Sequence, residues 1–183
     1  VLAQEKGMTY EEYVASLDLL DAEEIEAVAA DLNAPVSAEA YINSKLPFGY
    51  NYIDQSLDIT HDNDTQGSHG SHVAGIATAN SWLYNAETGN YGKAVDYCFM
   101  QGVAPDAQLL TLKVFGKAGS PYDSDYMAAI EDAVILGADV INLSLGSVAP
   151  GRGAHSNPVF QAVMDDLTKS GVVVAISAGN SGP

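Results

Sequence analysis

Basic residues are scarce. The chain has 7 Lys+Arg against 24 Asp+Glu, a formal charge of -17. Such a field repels phosphate backbones and anionic membrane surfaces, which excludes nucleic acid as a partner. Cysteine is almost absent. Cys98 stands alone, so it forms no internal disulfide and reads as a small apolar filler. No apolar run approaches the roughly 18–20 residues of a membrane span. There is no repeat of fixed period and no leader peptide with a basic start and an apolar stretch. What is present is 183 residues with 47% hydrophobic character. That is enough for one domain with a core and too apolar for a disordered chain.

The first third is acidic and helical. Thr9 and Glu12 have capping-box spacing, which predicts a helix starting there. Asp21 predicts the cap of a second helix, with Ile25, Val28, Ala29 and Leu32 on one face and Asn33 and Pro35 ending it. Phe48, Tyr50 and Tyr52 alternate with Gly49 and Asn51, which predicts a strand. The polar stretch Asp54–Ser68 reads as loop. His72–Ala79 is a small-residue helix, and 81–101 reads as an insertion rich in turn residues. Strands are predicted over Leu109–Phe115, Val140–Leu145 and Val172–Ser177. Helices are predicted over Asp123–Leu136 and from an Asn157 cap with Pro158 at the first turn to Lys169.

Strands alternating with helices, and strands of nearly continuous Val, Ile and Leu, predict an α/β fold with a mainly parallel sheet buried on both faces. In such folds a site forms beyond the carboxyl ends of the strands. Two strands end there in small-residue loops, Ser144-Leu145-Gly146-Ser147 and Ala178-Gly179-Asn180-Ser181-Gly182. Small residues let a substrate backbone approach.

The sharpest motif is HGSHVAG, His69–Gly75. A polar loop delivers His69 to the start of a helix, and Gly70 and Gly75 predict close packing around it. A histidine at a cleft edge exchanges protons near neutral pH. The motif resembles the histidine signature HGTHVAG of subtilisin-like serine peptidases, with Ser71 in place of threonine. Three more segments match that family in order: GVAPDAQLLTLKVF (Gly102–Phe115), VINLSLG (Val140–Gly146) and VVVAISAGNSG (Val172–Gly182). YINSKLPFGYNYID (Tyr41–Asp54) further resembles the cell-envelope proteinases of Gram-positive bacteria, which carry an acidic helical insert before the histidine.

The resemblance implies a three-layer subtilisin-like fold, incomplete here, with residues 1–40 as an acidic helical insert region and 41–183 as a partial peptidase domain. It implies His69 as general base and Asn180 as oxyanion donor. Ser144, Leu145 and Gly146 then pair with the substrate backbone as an added strand, facing Gly119 and Ser120 on the opposite wall. It implies protein or peptide substrates and an extracellular or cell-wall location. No GTSMA-like serine segment is present. Ser181 imitates a nucleophile elbow, but Pro183 takes the last glycine position of G-x-S-x-G. Tyr52-Ile53-Asp54 imitates the family's aspartate strand, yet Asp54 stands too close before His69.

The chain opens on Val1 and stops after an apolar strand. It therefore reads as an internal piece whose aspartate and serine lie outside it, inactive alone. The alternative reading is a non-catalytic, peptide-binding module of the same family. His69 and His72 are spaced i, i+3, whereas the zinc pattern needs i, i+4 with a glutamate between, so no catalytic metal is expected. No cofactor is required. Calcium stays open as a structural ion, through Asp58, Asp62, Asn63 and Asp64 as hard oxygen ligands, while Asp62 and Asp64 also read as plain solvated loop carboxylates.

Overall fold

The structure, a computed structural model, describes residues 5–62, 64, 66–80, 82–85, 90–93, 101–117, 123–146 and 158–179. Helices α1 (Tyr10–Ala15) and α2 (Ala22–Val28) come first, and a 3-10 turn follows at Ala29–Asp31. Both starts are capped as their sequences predict. The Glu12 amide donates to Thr9 Oγ1 at 3.2 Å while Glu12 Oε2 accepts from the Thr9 amide at 2.8 Å. Asp21 Oδ1 accepts from the Glu23 and Glu24 amides, and Glu24 returns the bond to the Asp21 amide. These caps satisfy amides that a helix start leaves without partners.

Strand β1 (Phe48–Asn51) leads through a long loop to α3 (His69–Thr78). The insertion holds an antiparallel hairpin, β2 (Trp82–Asn85) with β3 (Asn90–Lys93). It returns at Gly102, where the amides of Gly102, Val103 and Ala104 donate to the carbonyls of Ala79, Ile76 and Ala77. The returning chain thus satisfies the open carbonyls at the end of α3. A Cβ at Gly102 would lie 2.4 Å from the Ala79 nitrogen, so only glycine passes there.

Strand β4 (Leu110–Lys113), helix α4 (Asp123–Ile135), strand β5 (Val140–Leu143), helix α5 (Pro158–Ser170) and strand β6 (Val173–Ile176) complete the order. β1 pairs with β4 in parallel, Phe48 opposite Leu110 and Asn51 opposite Lys113. β5 pairs with β6 in parallel, Val140 opposite Val173 and Leu143 opposite Ile176. Parallel neighbours need a crossover, and α5 is the helix that joins β5 to β6.

The α/β class and the parallel pairing of its main strands are therefore as the sequence predicts. Among the described residues the parallel strands form two separate pairs. Side chains link them instead: Leu112 and Tyr126 pack against both hydrophobic clusters. One cluster gathers Ile25, Phe48, Tyr50, Tyr52 and Val114; the other gathers Ile130, Ile141 and Leu167. Complete burial of a side chain such as Phe48 contributes about 1.5–3 kcal/mol. Burial on both faces fails for β5 and β6. Ile141 and Val174 turn toward α4 and α5, while Val140 and Val173 remain 60% and 61% exposed and Ile176 is exposed too. Along β5 the alternation is that of a strand covered on one side.

Polar contacts dock the first third onto the rest. Gln108 accepts from the Leu20 amide and donates to the carbonyls of Leu20 and Ser44. Asp132 on α4 is completely buried and accepts from the amides of Asn33 and Ala34.

Candidate active site

The carboxyl ends of the strands converge. Tyr52 follows β1, Val114 and Phe115 follow β4, and Leu145 follows β5; all four belong to or pack against one cluster. His69 is the first residue of α3 and is exposed, with its amide donating to the Gln66 carbonyl at 3.4 Å. Its side chain is thus open to solvent.

The loop that carries His69 is held from below. Lys113, at the end of β4, forms an ion pair of 3.0 Å with Asp64, and their side chains are 9% and 8% exposed. The same ammonium donates to the Thr60 carbonyl. Burial alone would raise the Asp64 carboxyl. The bonds from Lys113 and from the Gln66 and Gly67 amides, with the lysine charge, outweigh it and hold the group below its ordinary value. Asp64 is therefore not the solvated loop carboxylate that its sequence context predicts, because a partner in a distant strand covers it.

Asp54 sits in the turn after β1. Its amide donates to Asn51 Oδ1 at 3.1 Å, and Asn51 Nδ2 donates to Asp54 Oδ2 at 2.9 Å. Gly116 passes so close that a Cβ there would meet Asp54 Oδ2 at 2.6 Å. These contacts describe a turn-closing carboxylate. His61 lies 3.8 Å from Asp62 on the surface. Asp58 Oδ1 accepts from the amide and hydroxyl of Thr60. Among the described residues no group of three or more His, Cys, Asp or Glu side chains is arranged to hold a metal.

One expectation near His69 changes. A Cβ at Gly70 or Gly75 would meet nothing within 4 Å, so the tight approach lies at Gly102 instead. His72 is exposed.

The predicted substrate segment is ordered by its neighbour strand. Ser177 donates through its amide to the Leu143 carbonyl at 3.1 Å and through its hydroxyl to the Leu145 carbonyl at 2.7 Å. Asn142 Nδ2 donates to Ser144 Oγ at 2.9 Å. A Cβ on Gly146 would lie 3.6 Å from Gly179 Cα. Gly179 has φ +78, a turn that glycine makes without strain. Ser144, Leu145 and Gly146 therefore lie beside Ser177–Gly179, at the carboxyl ends of paired strands. Asn63, Cys98, Gly119, Ser120, Asn157, Asn180, Ser181 and Pro183 lie outside the described residues. No helix of the described residues is long and apolar enough to cross a membrane.

The Subtilase family model matches residues 30–183. The PI-type proteinase of Lactococcus lactis subsp. cremoris is 43% identical over 146 residues, covering 78% of this chain and 7% of that protein. The minor extracellular protease Vpr of Bacillus subtilis is 37% identical over 142 residues, 74% of this chain and 15% of Vpr. A subtilisin-like protease of Arabidopsis thaliana is 37% identical over 120 residues, 66% of this chain and 14% of that protein. The chain thus spans a small part of the length of the relatives it matches. Motifs in family order on an α/β scaffold and a family match over most of the chain agree: the chain belongs to the subtilase family.

Proposed function

We propose that this chain supplies the general base and the oxyanion donor of a serine endopeptidase whose triad aspartate and serine lie outside residues 1–183. His69 takes the proton of the attacking serine and later gives it to the leaving amine. The Asn180 side-chain amide donates to the oxyanion of the tetrahedral intermediate. Ser144, Leu145 and Gly146 align the substrate backbone as an added strand, with Gly119 and Ser120 as the facing wall. The substrates are proteins or peptides, and the site of action is outside the cell or at its wall. The Bacillus relative, named an extracellular protease, supports that location. No cofactor enters the chemistry, and any calcium would be structural. Residues 1–40 form an acidic helical region within the catalytic domain, ahead of the peptidase portion at 41–183.

One observation supports the proposal: Gly146 and Gly179 approach side by side at the ends of parallel β5 and β6, within the two segments that resemble the family's substrate-binding and oxyanion-hole motifs. The edges of β4 and β5 that have no strand partner among the described residues are consistent with further strands from outside the chain.

The test uses the longest natural protein containing this segment and a chromogenic peptide. We expect hydrolysis that a serine-directed inhibitor stops and that His69→Ala abolishes. Peptide binding without inhibitor-sensitive cleavage would replace the enzyme reading with that of a binding module. The isolated 183-residue chain should not cleave, and His69-dependent cleavage by it would refute an external serine and aspartate.

A further inference from the structure

We propose that Lys113 is a positioning residue for His69, acting through a buried clamp on the loop that delivers the histidine. The inference rests on the reading of His69 as general base.

The main chain and the side chain of Lys113 hold the two ends of that loop. Its carbonyl accepts from the Tyr52 amide at 2.9 Å, where the chain leaves β1. Its ammonium binds the Thr60 carbonyl and the Asp64 carboxylate, where the chain nears α3. Asp64 Oδ1 in turn accepts from the Gln66 amide at 2.9 Å. The Gln66 carbonyl accepts from the His69 amide, and the Ser68 carbonyl from the His72 amide at 2.9 Å. A continuous path of hydrogen bonds therefore runs from the end of a core strand to the first turn of α3.

The chemistry of the pair fits a clamp. A lysine presents a compact charge with three donors, and two of its acceptors are identified here. Nearly complete cover keeps water from competing for either partner. A solvated loop would not place its last residues reproducibly, and a general base misplaced by about 1 Å loses on the order of 10²-fold in rate.

The experiment compares Lys113→Met, Asp64→Asn and the double variant in the longest natural protein containing this segment. The single variants each strand a buried charge or dipole and will lose stability. The double variant removes both and recovers stability. We expect kcat to fall about 10–10²-fold in all three, with KM within about twofold of the parent. A double variant that regains both stability and kcat would show a merely structural pair and overturn the proposal.

Amide hydrogen exchange gives a readout independent of catalysis. Protection at His69 and His72 should drop in the double variant, while protection within α4 and β5 persists. Unchanged protection at His69 and His72 overturns the clamp even if the parent protein proves inactive. Absence of serine-type hydrolysis in the parent refutes the enzyme reading separately.

Discussion

The hydroxyl of Tyr52 donates to Asp132 Oδ2 at 2.7 Å, joining residues 80 positions apart in a fully buried place. The same carboxylate accepts from the Asn33 and Ala34 amides and from Asn33 Nδ2. It ties the turn after α2 and the end of β1 to α4. Burial, then the bond to Asp132 and its negative charge, push the Tyr52 phenol far above its ordinary value. It is therefore a donor at every working pH.

Asp132→Ala would leave the Ala34 amide and the Tyr52 hydroxyl buried without acceptors and take the acceptor from the part-buried Asn33 amide. At about 1–3 kcal/mol for each buried orphaned group, the loss should reach at least about 2 kcal/mol. Tyr52→Phe removes one donor and should cost about 1–2 kcal/mol. Urea denaturation of the parent and both variants measures the difference. Equal midpoints for all three would show that the buried bonds contribute nothing net.

Gly102→Ala tests how the insertion returns to α3. The added methyl would meet the backbone of Thr78 and Ala79, which cannot swing aside like a side-chain end. A cost of about 1–3 kcal/mol or more is expected, with fraying at the end of α3. Gly75→Ala on the same helix meets open space and should instead stabilise by about 0.5–1 kcal/mol. Opposite signs in a thermal melt check the pair.

Asn180→Ala tests the oxyanion role. Loss of a donor of this kind costs about 10²–10³-fold in turnover in subtilisin. In the longest natural protein containing this segment, kcat should fall by that order while KM stays near its parent value. A rise in KM with kcat intact would mean that Asn180 binds the ground state only.

Periodicity makes a helix such as α4 readable because it buries one face: it is expected at Asp123–Leu136 and ends at Ile135. The strands are readable from their runs of Val, Ile and Leu. The caps at Thr9 and Asp21 were readable because capping is local. The hairpin at β2 and β3 was not, since turn residues mark an insertion without saying what lies between them. Asp132, Gln108 and Lys113 were missed for a different reason. A single polar residue in an amphipathic stretch reads as solvent-facing, and its partners lie far away in sequence. For the proposed site, the family resemblance pointed to His69 and Ser144–Gly146, whereas the closeness of Gly146 to Gly179 needed the pairing of β5 with β6.

The Asp64–Lys113 pair predicts how stability responds to acid. The Asp64 carboxyl is held below its ordinary value in the folded chain, and the unfolded chain restores a value of about 3.9. The unfolded state therefore takes up a proton first as the pH drops. The contribution of Asp64 is complete above the unfolded value and is lost as pH falls through the lower folded one. Glu12 and Glu39 are also held low by hydrogen bonds, but both are exposed. Their share is screened by solvent, and comparison with Asp64→Asn cancels it. Between about pH 5 and pH 3, the parent should lose stability more steeply than Asp64→Asn, which has no carboxyl to protonate. Parallel unfolding curves across that range would mean that the lysine gives the carboxylate no net advantage in the fold.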